Sequence, residues 1–90
     1  MGKIWFLQPS DGDLLVGGAD GEFRDGRFFA QVRVRAEADA LSVNGVPVDR
    51  SDDGDFRAMV PLDGLRGRLE ARDENGGCAA ITVFRLRGAE

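Results

Sequence analysis

Ninety residues with 42% hydrophobic content are enough for one domain with a modest core, so residues 1–90 are read as a single unit. A formal charge of −4 and a pI near 4.7 speak against a nucleic-acid binder. The chain has no His, which removes the imidazole from any Ser-His-Asp or Cys-His relay. A lone Cys78 excludes an internal disulfide and zinc sites of the common Cys/His type.

Ile4-Trp5-Phe6-Leu7 is a short apolar run before Gln8-Pro9. It is too short for a signal-peptide core and far below a membrane span, so no membrane partner is expected. It is predicted as a first strand, buried on both sides or lying between two sheets. With no leader in the chain as written, a cytoplasmic protein is expected, or an extracellular or cell-envelope one if the chain is excised from a longer secreted protein. Residues 9–13 form a turn, Leu14-Leu15-Val16 returns briefly as strand, and residues 17–21 read as loop.

Asp25-Gly26 between residues 22–24 and Arg27 is a two-residue hairpin signal, because both central residues of a type I′ turn need positive φ. The run that follows alternates: Phe28, Ala30, Val32, Val34 and Ala36 fall on one face, Gln31, Arg33 and Arg35 on the other. Leu41 and Val43 point inward around Ser42. Asn44-Gly45 then turns the chain into Val46-Pro47-Val48, which Pro47 marks as an edge strand. Phe56, Ala58, Val60 and Leu62 share a face opposite Arg57. Leu69, Ala71 and Asp73 alternate with Arg68, Glu70 and Arg72. The last strand spans residues 78–87. There Ile81 and Val83 share parity with Arg85 and Arg87, a conflict that a bulge near Phe84 would resolve. Seven Asp-Gly or Asn-Gly pairs cut these runs at roughly ten-residue intervals, the pattern of an all-β sandwich or small barrel with no long helix.

Val43-Asn44-Gly45-Val46-Pro47-Val48, Asp53-Gly54-Asp55-Phe56, Val60-Pro61-Leu62 and the stretch from Leu69 to Gly76 together resemble the bacterial immunoglobulin-like modules akin to domain B of glucodextranase. The resemblance covers residues 41–85, with Gly67 standing where such modules usually carry Asn. It implies an immunoglobulin-like antiparallel β-sandwich of about seven strands without a disulfide. It also implies a non-catalytic accessory role, as spacer or docking domain, in a larger carbohydrate-active or cell-surface protein of a bacterium.

Three sets of residues are candidates for a site. Residues 49–54 echo the start of a calcium loop, but position twelve is Val60 and the bidentate Glu is missing. Asp52, Asp53 and Asp55 still offer a weak calcium loop, as do Asp73, Glu74 and Asn75, although turns select Asp and Asn for backbone reasons. No other cofactor is implied. Arg33, Arg35 and Arg57 are expected on the outer face of one sheet, and Arg66, Arg68 and Arg72, with Arg85 and Arg87, on the other. Pairing with Glu37, Glu70 and nearby Asp would satisfy them; otherwise they form a docking face for an acidic neighbouring domain or an anionic glycan. Phe28 and Phe56 read as core, whereas Phe29 has outward parity and is the ring expected to be exposed for stacking. Two functions therefore stand side by side: a spacer or docking module partnered by the next domain of the same polypeptide, and a glycan- or anion-binding module using exposed aromatics and arginines. Edge strands at residues 46–49 and near the termini allow a monomer or a weak dimer.

Overall fold

A computed structural model describes residues 3–85. Nine strands form: β1 (Ile4–Gln8), β2 (Leu14–Leu15), β3 (Gly21–Arg24), β4 (Arg27–Ala36), β5 (Leu41–Val43), β6 (Val46–Arg50), β7 (Phe56–Leu62), β8 (Arg66–Asp73) and β9 (Cys78–Arg85). They hydrogen-bond in the order β1-β4-β7-β6-β5-β8-β9-β2, with β3 also on β4. Every pairing between strands is antiparallel except β2 with β9. The all-β, antiparallel-rich architecture expected from the alternation is therefore present. The strand count is nine rather than seven, and the strands form one curled sheet, a half-barrel.

β4 is the longest element, and its alternation is why it organises the first half of the sheet. Phe28, Ala30, Val32 and Val34 are all at or below 1% exposure. One edge of β4 pairs with β7 from Phe28↔Leu62 to Val34↔Phe56. The other edge is shared: β3 takes Arg27 to Ala30, the Gln31 amide donates to the Asp20 carbonyl at 2.9 Å, and β1 takes the end. The core closes when Val43, Leu69, Ala71 and Val83 of the second half meet this face, together with Leu15 and Phe56. Burying each large apolar side chain contributes about 1.5–3 kcal/mol.

The two halves are joined by β6, which changes partners along its length. Val46, Pro47 and Val48 pair with β5; Asp49 and Arg50 pair with β7. The sequence places β6 at an edge, but it lies mid-sheet. A two-residue hairpin closes on a hydrogen-bonded pair, here Val43↔Val46, so the Pro47 nitrogen faces away from β5. On that side β7 has not yet joined, and no donor is needed. The proline is at a local edge within an interior strand.

Turn chemistry follows the expectation at the two hairpins. Asp25 and Gly26 have φ of 51° and 81°, Asn44 and Gly45 of 51° and 80°. Asn44 does more than turn the chain. Its side chain accepts from the Glu70 amide at 2.8 Å and donates to the Arg68 carbonyl at 3.0 Å, extending the β5 ladder one step along β8.

Four local expectations change. β1 is not buried on both sides: Ile4 and Phe6 pack against the core, while Trp5 and Leu7 are 44% and 38% exposed. The bulge lies in β1, between Phe6 and Gln8, and not near Phe84; β8 and β9 pair without a break through Arg66↔Phe84. The parity conflict in β9 is resolved by Arg85 turning inward. Its guanidinium stacks over Phe23 and Phe28, and its Nε donates to the Gly64 carbonyl. Arg87 lies outside the described residues. Finally, residues 18–20 do turn, but Gly21 is strand and not loop. Gly21 opens β3 so close to β4 that a Cβ would lie 2.3 Å from the Phe29 carbonyl oxygen and 2.7 Å from the Phe28 ring.

Gly21→Ala is expected to destabilise the fold by at least about 2 kcal/mol, because the atoms in the way include backbone that must move. The check is a lowered urea midpoint; a midpoint equal to wild type would show that β3 does not approach β4 this closely.

Candidate binding surface

The curled sheet has two outer faces, and the predicted arginines divide between them. On the first half, Arg33 of β4 sits directly across from Arg57 of β7, with Arg35 one outward position further along. Like charges placed opposite each other repel. The loop between β6 and β7 supplies the compensation. Arg33 Nε donates to Asp55 Oδ2 at 3.0 Å, with Nη2 at 2.8 Å from the same oxygen, and Arg35 Nε donates to Oδ1 at 3.0 Å. Asp55 itself is only 2% exposed. Beside it, Asp53 accepts from Arg57 Nη2 at 2.6 Å, Ser51 Oγ at 2.6 Å and the Asp55 amide at 3.1 Å. Arg57 is thus tied to the same loop that neutralises Arg33 and Arg35.

The protonation equilibria follow from this geometry. Donation from Ser51, then from Arg57 and the Asp55 amide, holds the Asp53 carboxyl well below the usual carboxylate range. Asp55 is also lowered, by Arg35 first and then Arg33, against the opposing effect of burial. Arg35 and Arg57 are raised in return by Asp55 and Asp53. These carboxylates do not fit a calcium loop: three guanidiniums already converge on them, and a divalent cation would sit against those charges. Asp52 is exposed and stands outside the network. At the second acidic turn, Asp73 Oδ1 accepts from the amides of Asn75 and Gly77 at 2.8 and 2.7 Å, the backbone role that Asp has in turns.

The outer face of the second half is balanced differently. Arg66, Arg68, Glu70 and Arg72 follow one another along the outward positions of β8. Glu70 serves two of the three arginines: Arg72 at 3.1 Å and Arg68 at a long 3.4 Å. Among the described residues no carboxylate pairs with Arg66. Across β9, Arg66 faces Phe84 and Arg68 faces Thr82, and Phe84 in turn neighbours Leu14 of β2. Phe84 and Leu14 are 43% and 52% exposed. A shallow depression of about 260 Å³ lies between Arg68 and Asp11, lined also by Ala80, Ile81 and Thr82. Asp11 is fixed there because its Oδ1 accepts from the Thr82 amide at 2.8 Å.

Phe29 does point outward, but it is half-buried and the Arg24 guanidinium lies 5.7 Å from its centroid. The more exposed rings are Trp5 and Phe84. Ile4-Trp5-Phe6-Leu7 is apolar throughout, so the sequence carries no trace of the exposure of the first. For the second, the trace was the opposite parity of Phe84 and Val83. Of the residues singled out in the sequence, Arg33, Arg35, Asp53 and Asp55 come together, though as one another's partners. Arg66, Arg68 and Arg72 come together as a separate row. Phe29 belongs to the first face, two outward positions from Arg33. No family model matches the chain, and no curated protein matches it.

Both depressed carboxyls contribute stability that is fully present above the unfolded-state value of about 3.9 and is lost as pH falls through their lower folded values. Asp55→Asn is therefore expected to lower the melting temperature at neutral pH, with the gap to wild type narrowing below about pH 4. Melting curves between neutral and acid pH read this out; a gap independent of pH would show that the charge of Asp55 is not what holds Arg33 and Arg35.

Proposed function

We propose that the chain is a non-catalytic interaction module of a larger protein, an immunoglobulin-like domain in which the sheet has curled through β6. Its β8–β9 face docks on an acidic surface of a neighbouring domain. The observation that carries this reading is the contrast between the two arginine sets. Arg33, Arg35 and Arg57 are consumed by Asp53 and Asp55 within the fold. Glu70 pairs with Arg68 and Arg72 but not with Arg66, leaving surplus positive charge on a chain whose net charge is −4. A folded domain gains little from exposed, unmatched arginines, whereas a docking face gains orientation and encounter rate from them. Phe84 and Leu14 add the apolar ground that interface centres favour. The absence of His and Tyr from the chain supports a binding role over catalysis.

Binding of the 90-residue chain to immobilised poly-L-glutamate tests the reading. The triple reversal Arg66→Glu, Arg68→Glu, Arg72→Glu is expected to weaken binding by about tenfold or more, while the equal charge change Lys3→Glu, Arg24→Glu, Arg27→Glu leaves most of it. Rising salt weakens the wild-type interaction. Binding that survives the β8 reversal would overturn the docking face. Retardation by a neutral polysaccharide that is lost on Trp5→Ala or Phe84→Ala, without binding to polyglutamate, would favour a sugar-binding module instead.

A further inference from the structure

The chain has two asparagines, and each is followed by glycine: Asn44-Gly45 and Asn75-Gly76. Such a pair can modify itself. The backbone nitrogen of the second residue attacks the side-chain carbonyl carbon of the first, most readily where the second residue has no side chain to obstruct the approach. Both glycines qualify. Their φ values are 80° and 87°, and the space where a Cβ would stand is open at each. The two sites match in the nucleophile and differ in the amide it must reach.

At residue 44 that amide is fixed. Its Oδ1 accepts from the Glu70 amide at 2.8 Å and its Nδ2 donates to the Arg68 carbonyl at 3.0 Å, both backbone groups of β8. The Asn44 amide nitrogen is held as well, donating to the Glu70 carbonyl at 2.9 Å. The Gly45 nitrogen reaches Cγ only after the side chain has left the sheet. At residue 75, in the turn between β8 and β9, the amide is loose. The side chain is exposed, and among the described residues it meets only the neighbouring Glu74 carboxylate, through Nδ2 at 3.3 Å. No acceptor among the described residues holds the Gly76 amide.

We propose that Asn75 is a site of spontaneous deamidation, and that the bonds of the Asn44 side chain to β8 protect that residue from the same reaction. The Gly76 nitrogen gives up its proton to solvent and bonds to Asn75 Cγ. The Cγ–Nδ2 bond breaks, and Nδ2 takes up a proton and leaves as ammonia. Water then opens the five-membered imide at one carbonyl or the other, leaving aspartate or isoaspartate at position 75. No change of oxidation state occurs. The isoaspartate product alters the turn. Asp73 Oδ1 accepts from the amides of residues 75 and 77 at 2.8 and 2.7 Å. Isoaspartate inserts one more backbone atom between those two nitrogens, so a single oxygen no longer fits both. Either product also places a new carboxylate beside Asp73 and Glu74, and like charges repel.

The full chain, held folded in mildly alkaline buffer and sampled over time, tests this by tryptic digestion and mass spectrometry. Cleavage after arginine puts the two sites in separate peptides, residues 36–50 and 73–85. The amide-to-acid mass gain is expected at least about tenfold faster in the second, the factor that two hydrogen bonds impose on release of Asn44. The gain should quicken as pH rises, because the attacking nitrogen must lose its proton. In urea the two rates should converge. Asn75→Ser should abolish the gain in residues 73–85. After the same incubation that variant should keep its melting temperature while the wild type loses part of its own. Equal gains at the two sites in the folded chain, or a gain confined to residue 44 or absent altogether, would overturn the proposal. A gain at residue 75 that yields aspartate without isoaspartate would overturn the imide route.

Discussion

The change of partners along β6 is the constraint from which the rest of the molecule follows. Three residues of that strand belong to the β5 side and two to the β7 side. A strand that served one neighbour throughout would leave two separate sheets or one flat one. The split makes the sheet turn a corner, so that the apolar faces of β4 and β7 look onto those of β8 and β9 and a common core closes around Phe28, Phe56 and Leu69. The sharing is possible because Pro47 has no amide to satisfy where β6 stands alone.

The same corner decides the fate of the charges. The loop that leaves β6 and enters β7 carries Ser51, Asp53 and Asp55 onto the outer face of the first half, where Arg33 and Arg57 would otherwise confront each other. Burial of Asp55 under two guanidiniums fixes the loop, and the loop fixes the start of β7. Among the described residues the second half has no comparable loop above β8. Its arginines are set by strand alternation alone, and among the described residues the one carboxylate paired with any of them is Glu70. One face is electrostatically self-contained and the other is not, and the difference arises from where a single connection lands.

Much of this was legible in the residues. β4 and β8 alternate and bury the face that their parity indicated, and in β7 Phe56, Val60 and Leu62 do so although Ala58 and Met59 are equally half-buried. Asp25-Gly26 and Asn44-Gly45 adopt the positive φ that their hairpins need. The separation of Arg33, Arg35 and Arg57 from Arg66, Arg68 and Arg72 follows from the same counting. What was not legible depends on contacts distant in sequence. A proline argues for an edge, and only the register of β7 shows that an edge can be local. Gly21 looks like the end of a turn, yet it is needed because the Phe29 carbonyl passes over it. Arg85 has the parity of a core residue and the chemistry of a surface one. The aromatic pair beneath it, Phe23 with Phe28 at 5.2 Å, comes from a hairpin more than fifty residues away in the chain. The Asp53 and Asp55 carboxylates resemble a cation loop until the arginines across the sheet are placed.

The side chain of Asn44 reaches Arg68 and Glu70 where β5 has already ended. Bare stretches of backbone at such a point are templates on which foreign chains stack, and many β proteins guard them with lysines or prolines. Here one amide serves as the guard. It occupies the Glu70 amide and the Arg68 carbonyl, two of the main-chain groups that a stray strand would seize beside the arginine-lined exterior of β8.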